Sequence, residues 1–216
     1  MRMRTPLLAG ALCLAYSVPA HAACMFYSTA TYLDIPAGGV TWGLGAALVF
    51  SDPSGTAFSG DASMRLGDKA VVRPGIGLCS RGGESDPFFG ADVGFRLTQS
   101  PTMNFNLQSG ITYQSLEGGS VMSIPIGAAA SFAGSGTMGF YAGGSLVWQQ
   151  FEFDGGGSTS DTNPMLFGGI GSRSGSMGWK LGGQLLLGDD TEFGVVAGIS
   201  FAGASSAQRN FTKGLK

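Results

Sequence analysis

From residue 41 to residue 202 apolar side chains recur at every second position, in segments of roughly ten residues parted by turn-forming clusters. That period restricts the fold more than any other feature, because successive side chains of a strand point to opposite faces whereas a helix repeats every 3.6 residues. The segments run approximately 41–50, 57–66, 70–79, 88–98, 103–114, 121–132, 139–152, 164–173, 178–187 and 192–202. In the fifth, Met103, Phe105, Leu107, Ile111 and Tyr113 share one parity, and Asn104, Asn106, Gln108, Thr112 and Gln114 share the other. Each strand therefore has one greasy face and one wet or small-residue face.

Alternation alone also fits a soluble sandwich or barrel, so the composition of the second face matters. Glycine takes 38 of 216 positions, only 12% of residues are charged, and 44% are hydrophobic. The non-greasy face is Gly, Ala, Ser, Asn and Gln, too poor in Lys and Glu for an ordinary solvated surface. A membrane barrel inverts the soluble arrangement: bulky apolar residues face lipid, and small or polar ones face the lumen. Glycine-rich disorder is a poor alternative, because disordered chains are low in aromatics and this one has 15 Phe.

The charged residues follow the same parity. Asp61, Arg65, Arg73, Asp92, Arg96, Lys180 and Glu192 all fall on the non-greasy face and are the candidate lumen or pore lining. Short connections at Gly67-Asp68-Lys69, around Pro101, at Gly134-Ser135-Gly136 and at Ser174-Gly175-Ser176 alternate with mostly longer polar ones. That is the spacing of short periplasmic turns and longer outer loops. In this orientation Trp42, Met103, Phe132, Phe140, Trp179 and Phe201 fall at the inner boundary of the bilayer, and Phe50, Phe58, Phe89, Tyr113, Trp148 and Phe193 at the outer one. Apart from Met103 these form two aromatic girdles.

Over residues 41–202 the pattern resembles the small outer-membrane barrels of Gram-negative bacteria, the OmpA/OmpX-like group. The expected fold class is all-β, an antiparallel up-and-down transmembrane β-barrel of about ten strands, with eight or twelve as alternatives. The resemblance implies outer-membrane lipid and lipopolysaccharide as surroundings and the barrel-assembly machinery as a partner. Such barrels commonly finish on an aromatic residue, a place Phe201 could fill ahead of a tail over 203–216.

Export is expected from the start of the chain. Arg2 and Arg4 precede an apolar stretch from Pro6 to Tyr16 and a small-residue ending, Ala20-His21-Ala22, which together read as a cleavable signal peptide over 1–22. Its removal takes two of 12 basic residues and none of 14 acidic ones, so 10 − 14 leaves a net charge of −4. Nucleic-acid binding is not expected on that balance. The single histidine, His21, leaves with the signal peptide, and histidine-dependent hydrolysis or acyl transfer leaves with it. Lys180 and the adjacent pair Asp189-Asp190 stand in no catalytic motif. The glycines of Phe167-Gly168-Gly169-Ile170-Gly171 lie inside a strand with no helix after it, which excludes a phosphate loop. No catalytic residue, cofactor or metal site is expected.

Two cysteines remain after processing, Cys24 and Cys79, and an even count in an oxidising compartment favours a disulfide. Cys79 falls at the outer end of its strand, so residues 23–40 would have to climb the barrel as a lumen plug; a periplasmic strap or an extra strand is the alternative. Seventeen extended residues span roughly 55 Å, which suffices. The proposed outer loops hold Asp52, Glu84, Asp86, Glu117, Asp154, Asp161, Asp189 and Asp190 against Arg81 alone, an acidic rim. The expected role is structural or surface-interacting, with a small-solute pore as one alternative and a soluble periplasmic barrel that binds an apolar ligand as another.

Overall fold

The computed structural model describes residues 40–51, 54–100, 103–133, 138–174, 176–188 and 191–202. The expected signal peptide, Cys24, the C-terminal tail, Asp52, Asp189, Asp190 and the expected turns at Pro101 and at 134–136 lie outside them.

The described residues form ten strands: β1 (Val40–Phe50), β2 (Gly55–Leu66), β3 (Ala70–Arg81), β4 (Glu84–Gln99), β5 (Met103–Leu116), β6 (Gly119–Ala133), β7 (Met138–Phe153), β8 (Ser158–Ser174), β9 (Met177–Leu186) and β10 (Glu192–Ala202). Each pairs antiparallel with its neighbours in sequence, and β1 pairs with β10 from Thr41↔Ala202 to Phe50↔Phe193, which closes the barrel. Closure matters energetically because it leaves no strand with a row of unpaired backbone groups. The fold is thus the closed up-and-down barrel of ten strands that the alternation predicts. The split of 57–66 from 70–79, on which that strand number depends, falls at the turn Gly67-Asp68-Lys69.

The parity follows the expected sense. Trp42, Leu44, Leu48 and Phe50 are exposed on the outside of β1, while Thr41, Ala47 and Val49 are buried inside. Ile76 at 69%, Ile126 at 66% and Phe58 at 63% exposure would be untenable on the surface of an ordinary soluble monomer at this density. Along the outward positions of all ten strands the only charged residue is Glu152.

One expectation needs correction. The long polar outer loops are not loops: β4 begins at Glu84, β5 continues to Leu116, β6 begins at Gly119, and β7 and β8 reach Phe153 and Ser158. Strands β4 to β8 run 14 to 17 residues, against 10 to 12 for β1 to β3, β9 and β10. One wall of the barrel therefore stands taller than the other and forms a crest at the end opposite the turn 67–69, here called the upper end. Towards its tip the crest is exposed on both faces, at residues 158–162 for instance, so little selects for alternation there, while the backbone ladder continues by hydrogen bonding. Gly82 and Gly83 close the β3–β4 hairpin at φ 63° and 94°. Two consecutive positive φ values define the type I′ turn, whose twist matches the flanking strands and which side-chain-bearing residues resist.

Candidate functional site

The inner wall and the upper crest hold the polar chemistry of the described residues. All seven charged residues expected at the lumen are on inward positions: Asp61 and Arg65 on β2, Arg73 on β3, Asp92 and Arg96 on β4, Lys180 on β9 and Glu192 on β10. They do not form one ring. They divide into three levels.

The middle level is a balanced cluster. Arg73 and Asp92 are directly opposed across the β3–β4 ladder, and the guanidinium forks onto the carboxylate: Nε donates to Oδ1 and Oδ2 at 3.1 Å, and Nη2 donates to Oδ1 at 3.0 Å. Such a bidentate pair is the strongest and most directional form of ion pair available to side chains. Asp61 and Lys180 lie close enough to act electrostatically on Asp92, so two acids meet two bases. Ser63 Oγ donates to Asp61 Oδ2 at 3.4 Å. Ser59, Asp61, Arg73, Phe88, Asp92 and Thr112 border a cavity of about 40 Å³, room for a water or two.

At the lower level, Arg96 donates from Nη2 to the carbonyl of Asp68, and its own amide bonds Lys69 O at 2.7 Å. It is only 9% exposed, tied to the β2–β3 turn. The β4–β5 ladder shifts register between Arg96 and Thr98 directly beside it, and such a bulge re-aims side chains locally. Arg65 has a buried Nε with no hydrogen-bond partner among the described residues.

At the upper level Glu192 meets a residue the sequence assigns elsewhere. Arg81 is not a loop cation; it ends β3, and its Nη2 donates to Glu192 Oε1 at 3.1 Å. Its odd parity, shared with Val71, Arg73 and Cys79, is the signal that could have placed it inside. Glu84 and Asp86 likewise belong to β4 and Asp161 to β8, so these three acids of the rim are carried on strands, while Glu117 stands in a two-residue turn.

The remaining inward positions are packed. Ser123 and Val147 are 0% exposed and Asn106, Gln114, Ser131 and Gln149 are 2%. Val121, Ala129, Tyr141, Val147, Phe151, Met165, Phe167 and Leu186 form one apolar cluster, and Ala47, Val49, Ala57, Cys79, Phe88 and Val196 a second. The inward glycines explain how large inward side chains fit. A Cβ at Gly143 would lie 2.5 Å from the Phe167 ring, one at Gly169 would lie 2.6 Å from the Tyr141 hydroxyl, and one at Gly43 would lie 2.5 Å from Asp61 Oδ1. Glycine here does not keep the lumen open; it makes a seat in which a neighbouring strand's side chain lies flat along the wall.

The girdle residues all take outward positions. Phe50 stacks on Phe193 with centroids 5.9 Å apart and Phe89 meets Tyr113 at 5.3 Å, each pair directly opposed in its ladder. Trp42 opposes Phe201, and Phe132 opposes both Met103 and Phe140. Phe58 and Trp179 are exposed, and Trp148 is half-buried. On the crest, hydrogen bonding to Glu117 and then its charge push the Glu84 carboxyl above the usual range, and burial followed by the Glu117 charge pushes Asp86 up. Among the described residues no group of acids, cysteines or histidines has the arrangement of a metal site.

No protein-family model matches the chain, and no curated protein sequence is similar to it. Among solved structures it is similar to the N-terminal β-barrel domain of Pseudomonas aeruginosa OprF, at 12% identity over 77% of this chain and 98% of that one, with a TM-score of 0.41. It is similar to Neisserial surface protein A at 15% identity over 76% and 96%, with a TM-score of 0.39. For the outer membrane protease OmpT from Escherichia coli the values are 9% over 76% and 97%, with a TM-score of 0.49. At these identities the likeness is one of fold alone.

Proposed function

We propose that the chain is an outer-membrane β-barrel of a two-membrane bacterium, exported by the cleavable signal over 1–22, with a closed lumen and a structural or surface-interaction role carried by its upper crest. The observation that supports this reading is the outward face: large apolar side chains around a closed barrel, bounded by aromatics, with Glu152 the sole charge on it. From Trp42 to Phe50 the belt covers eight steps of β1. That is roughly 26 Å along the strand and about 20 Å along the axis at a tilt of ~40°, comparable with the ~25 Å apolar band of such barrels. A soluble barrel would put these side chains inside.

The lumen argues for closure over permeation. Four of its charges pair, Arg73 with Asp92 and Arg81 with Glu192, many of its small polar side chains are buried, and Phe167, Tyr141 and Asp61 lie on glycine seats. What remains to meet a partner is the crest, with Glu84, Asp86, Glu117, Glu152, Asp154 and Asp161 beside the Ser158-Thr159-Ser160 edge. Its acidity suits basic protein surfaces, or lipopolysaccharide bridged by divalent cations.

The test is a gel run unboiled and boiled on the mature protein refolded into detergent. A folded membrane barrel migrates faster unboiled and needs the detergent to stay in solution. A lipid-free, water-soluble monomer would sink the membrane reading. Planar-bilayer recording of the same sample separates the two lumen states, since steady unit conductance would replace the closed barrel with a pore.

A further inference from the structure

Residues 158–163 of β8 are paired on one side only. They face β7 from Glu152↔Ser158 to Val147↔Asn163, whereas the ladder to β9 begins at Met165↔Leu186, with one last rung where Leu187 N donates to Pro164 O at 2.8 Å. An antiparallel strand turns its rungs alternately to its two neighbours. Pro164 turns to β9, and Gly157, whose carbonyl accepts from Phe153 N, turns to β7. Ser158, Ser160 and Thr162 therefore direct their N–H and C=O groups away from β7, into the lane that β9 does not reach. Six residues make an edge of roughly 20 Å, standing above the short wall.

Such edges are ordinarily blunted by Lys, by Pro or by a bulge. Between Ser158 and Asn163 there is neither Lys nor Pro, the register to β7 is unbroken, and residues 158–162 are exposed. The guard present is one carboxylate: Asp161 Oδ1 accepts from Thr162 N at 2.7 Å, and Asn163 Nδ2 donates to Oδ2 at 2.7 Å. Among the described residues Ser158 and Ser160 have no such cap.

We infer that the crest takes its partner as an added strand: an extended protein segment with Lys or Arg at alternate positions pairs antiparallel with Ser158–Asn163. This rests on the surface-interaction reading above and names the partner of that same crest. Backbone rungs give such a contact its affinity, and alternate side chains give it specificity.

The chemistry of those side chains follows from parity. Beside Thr159 and Asp161 they turn over the mouth, where Glu84 and Asp86 also hold inward positions. Arg81, the one cation among the described residues of the upper mouth, is already held by Glu192. A segment with cations there meets opposite charge, and an acidic one meets like charge. A cation on Asp161 also draws that carboxylate from the Thr162 amide, which then joins the ladder. Beside Ser158, Ser160 and Thr162 the side chains turn outward among hydroxyls, a setting for Ser or Thr. Lipopolysaccharide, the other candidate for an acidic crest, has no peptide backbone to fill the rungs.

The test uses the full mature protein in detergent micelles and a peptide of about eight residues that alternates Lys and Thr. Binding is expected to slow exchange of the Ser158 and Ser160 amides on the order of tenfold, read by NMR, and to leave Thr159 and Asp161, already on β7, as they were. Ser160→Pro removes a donor on the free side without touching the β7 rungs. It should weaken the peptide on the order of tenfold while the unboiled gel mobility stays that of the wild type. The exchange measurement is made on the wild type, so it stands whether or not the variant folds. Peptide binding with unchanged Ser160 exchange, or equal binding to a folded Ser160→Pro, would overturn the added strand and leave a crest that meets basic surfaces by charge alone. An alternating Glu-Thr peptide that binds as well would overturn the stated chemistry. Binding of calcium-loaded lipopolysaccharide micelles in place of the peptide would overturn the inference in favour of lipid, and binding of neither would remove the surface-interaction reading with it.

Discussion

Arg81 and Glu192 join strands that are not neighbours: Nη2 of the first donates to Oε1 of the second at 3.1 Å, reaching over β1 and β2 inside the upper mouth. Both side chains are about one-tenth exposed, at 9% and 10%. A pair this sheltered is costly to break and cheap to replace, because removing one partner leaves a charge without compensation. Arg81→Met and Glu192→Leu should each cost about 3 kcal/mol, and the double variant should cost less than either single one. Urea unfolding in detergent micelles measures this, and additive losses would mean the two residues act separately.

The glycine seats give a second expectation. At Gly143 an added Cβ meets the Phe167 ring and the Ala128 carbonyl, and the carbonyl cannot yield without moving a strand. At Gly60, on the outward face, the nearest atom is Leu44 Cδ2 at 3.7 Å, an ordinary contact. Gly143→Ala should therefore lose about 1–3 kcal/mol through overpacking. Gly60→Ala should be neutral or gain up to about 1 kcal/mol, since alanine gives up less backbone freedom than glycine on folding. Equal effects at the two positions would remove the seat interpretation.

The belt makes a third. Ala197 lies midway between Phe193 and Phe201 on the outward face of β10. Ala197→Arg should destabilise the barrel in lipid by about 2–4 kcal/mol, the cost of a cation near the bilayer midplane. Glu152→Ala, above Trp148 on β7, should change stability by less than about 0.5 kcal/mol because that carboxylate already stands in water. Refolding into lipid vesicles over a urea series reads both, and an arginine tolerated at residue 197 would mean the belt does not face lipid.

What was legible in the sequence and what was not have one physical cause. Alternation records a difference between two solvents, so it is plain where one face meets lipid and the other the lumen: Met103 to Tyr113 reads at once, and ten strands and their facing follow. At the crest the contrast between the faces fades, and residues 84–87, 115–120 and 153–163 look like loops although β4 to β8 extend into them. Arg81 was misassigned for the same reason, as a charged residue near the end of a pattern. Single charges such as Arg73 could be given a face but not a partner, because a period says nothing of register; Asp92 becomes its partner only once β3 and β4 align. Glycine seats are invisible in one strand, since each is defined by a side chain from the next.

The crest gives the last expectation, a dependence on pH. Glu84 is held above its ordinary value of 4.5 first by a hydrogen bond to Glu117 and then by its charge; Asp86 is held above 3.8 first by burial and then by Glu117. Both carboxyls lie above the aromatic belt. For an acid whose folded value exceeds its unfolded one, the fold binds the proton more tightly. Its stabilising contribution is therefore complete below the unfolded value and is lost as pH rises through the folded one. The hairpins β3–β4 and β5–β6 should accordingly be tighter at pH 4 than at pH 7, the reverse of the usual acid weakening. Glu117→Gln should lower the titration of both Glu84 and Asp86, since it removes the charge that each of them faces, and should flatten the difference. Carboxyl titration by NMR together with hydrogen exchange of the hairpin amides, corrected for intrinsic rates, measures the two effects. An unchanged Glu84 titration in that variant would show that Glu117 is not the cause.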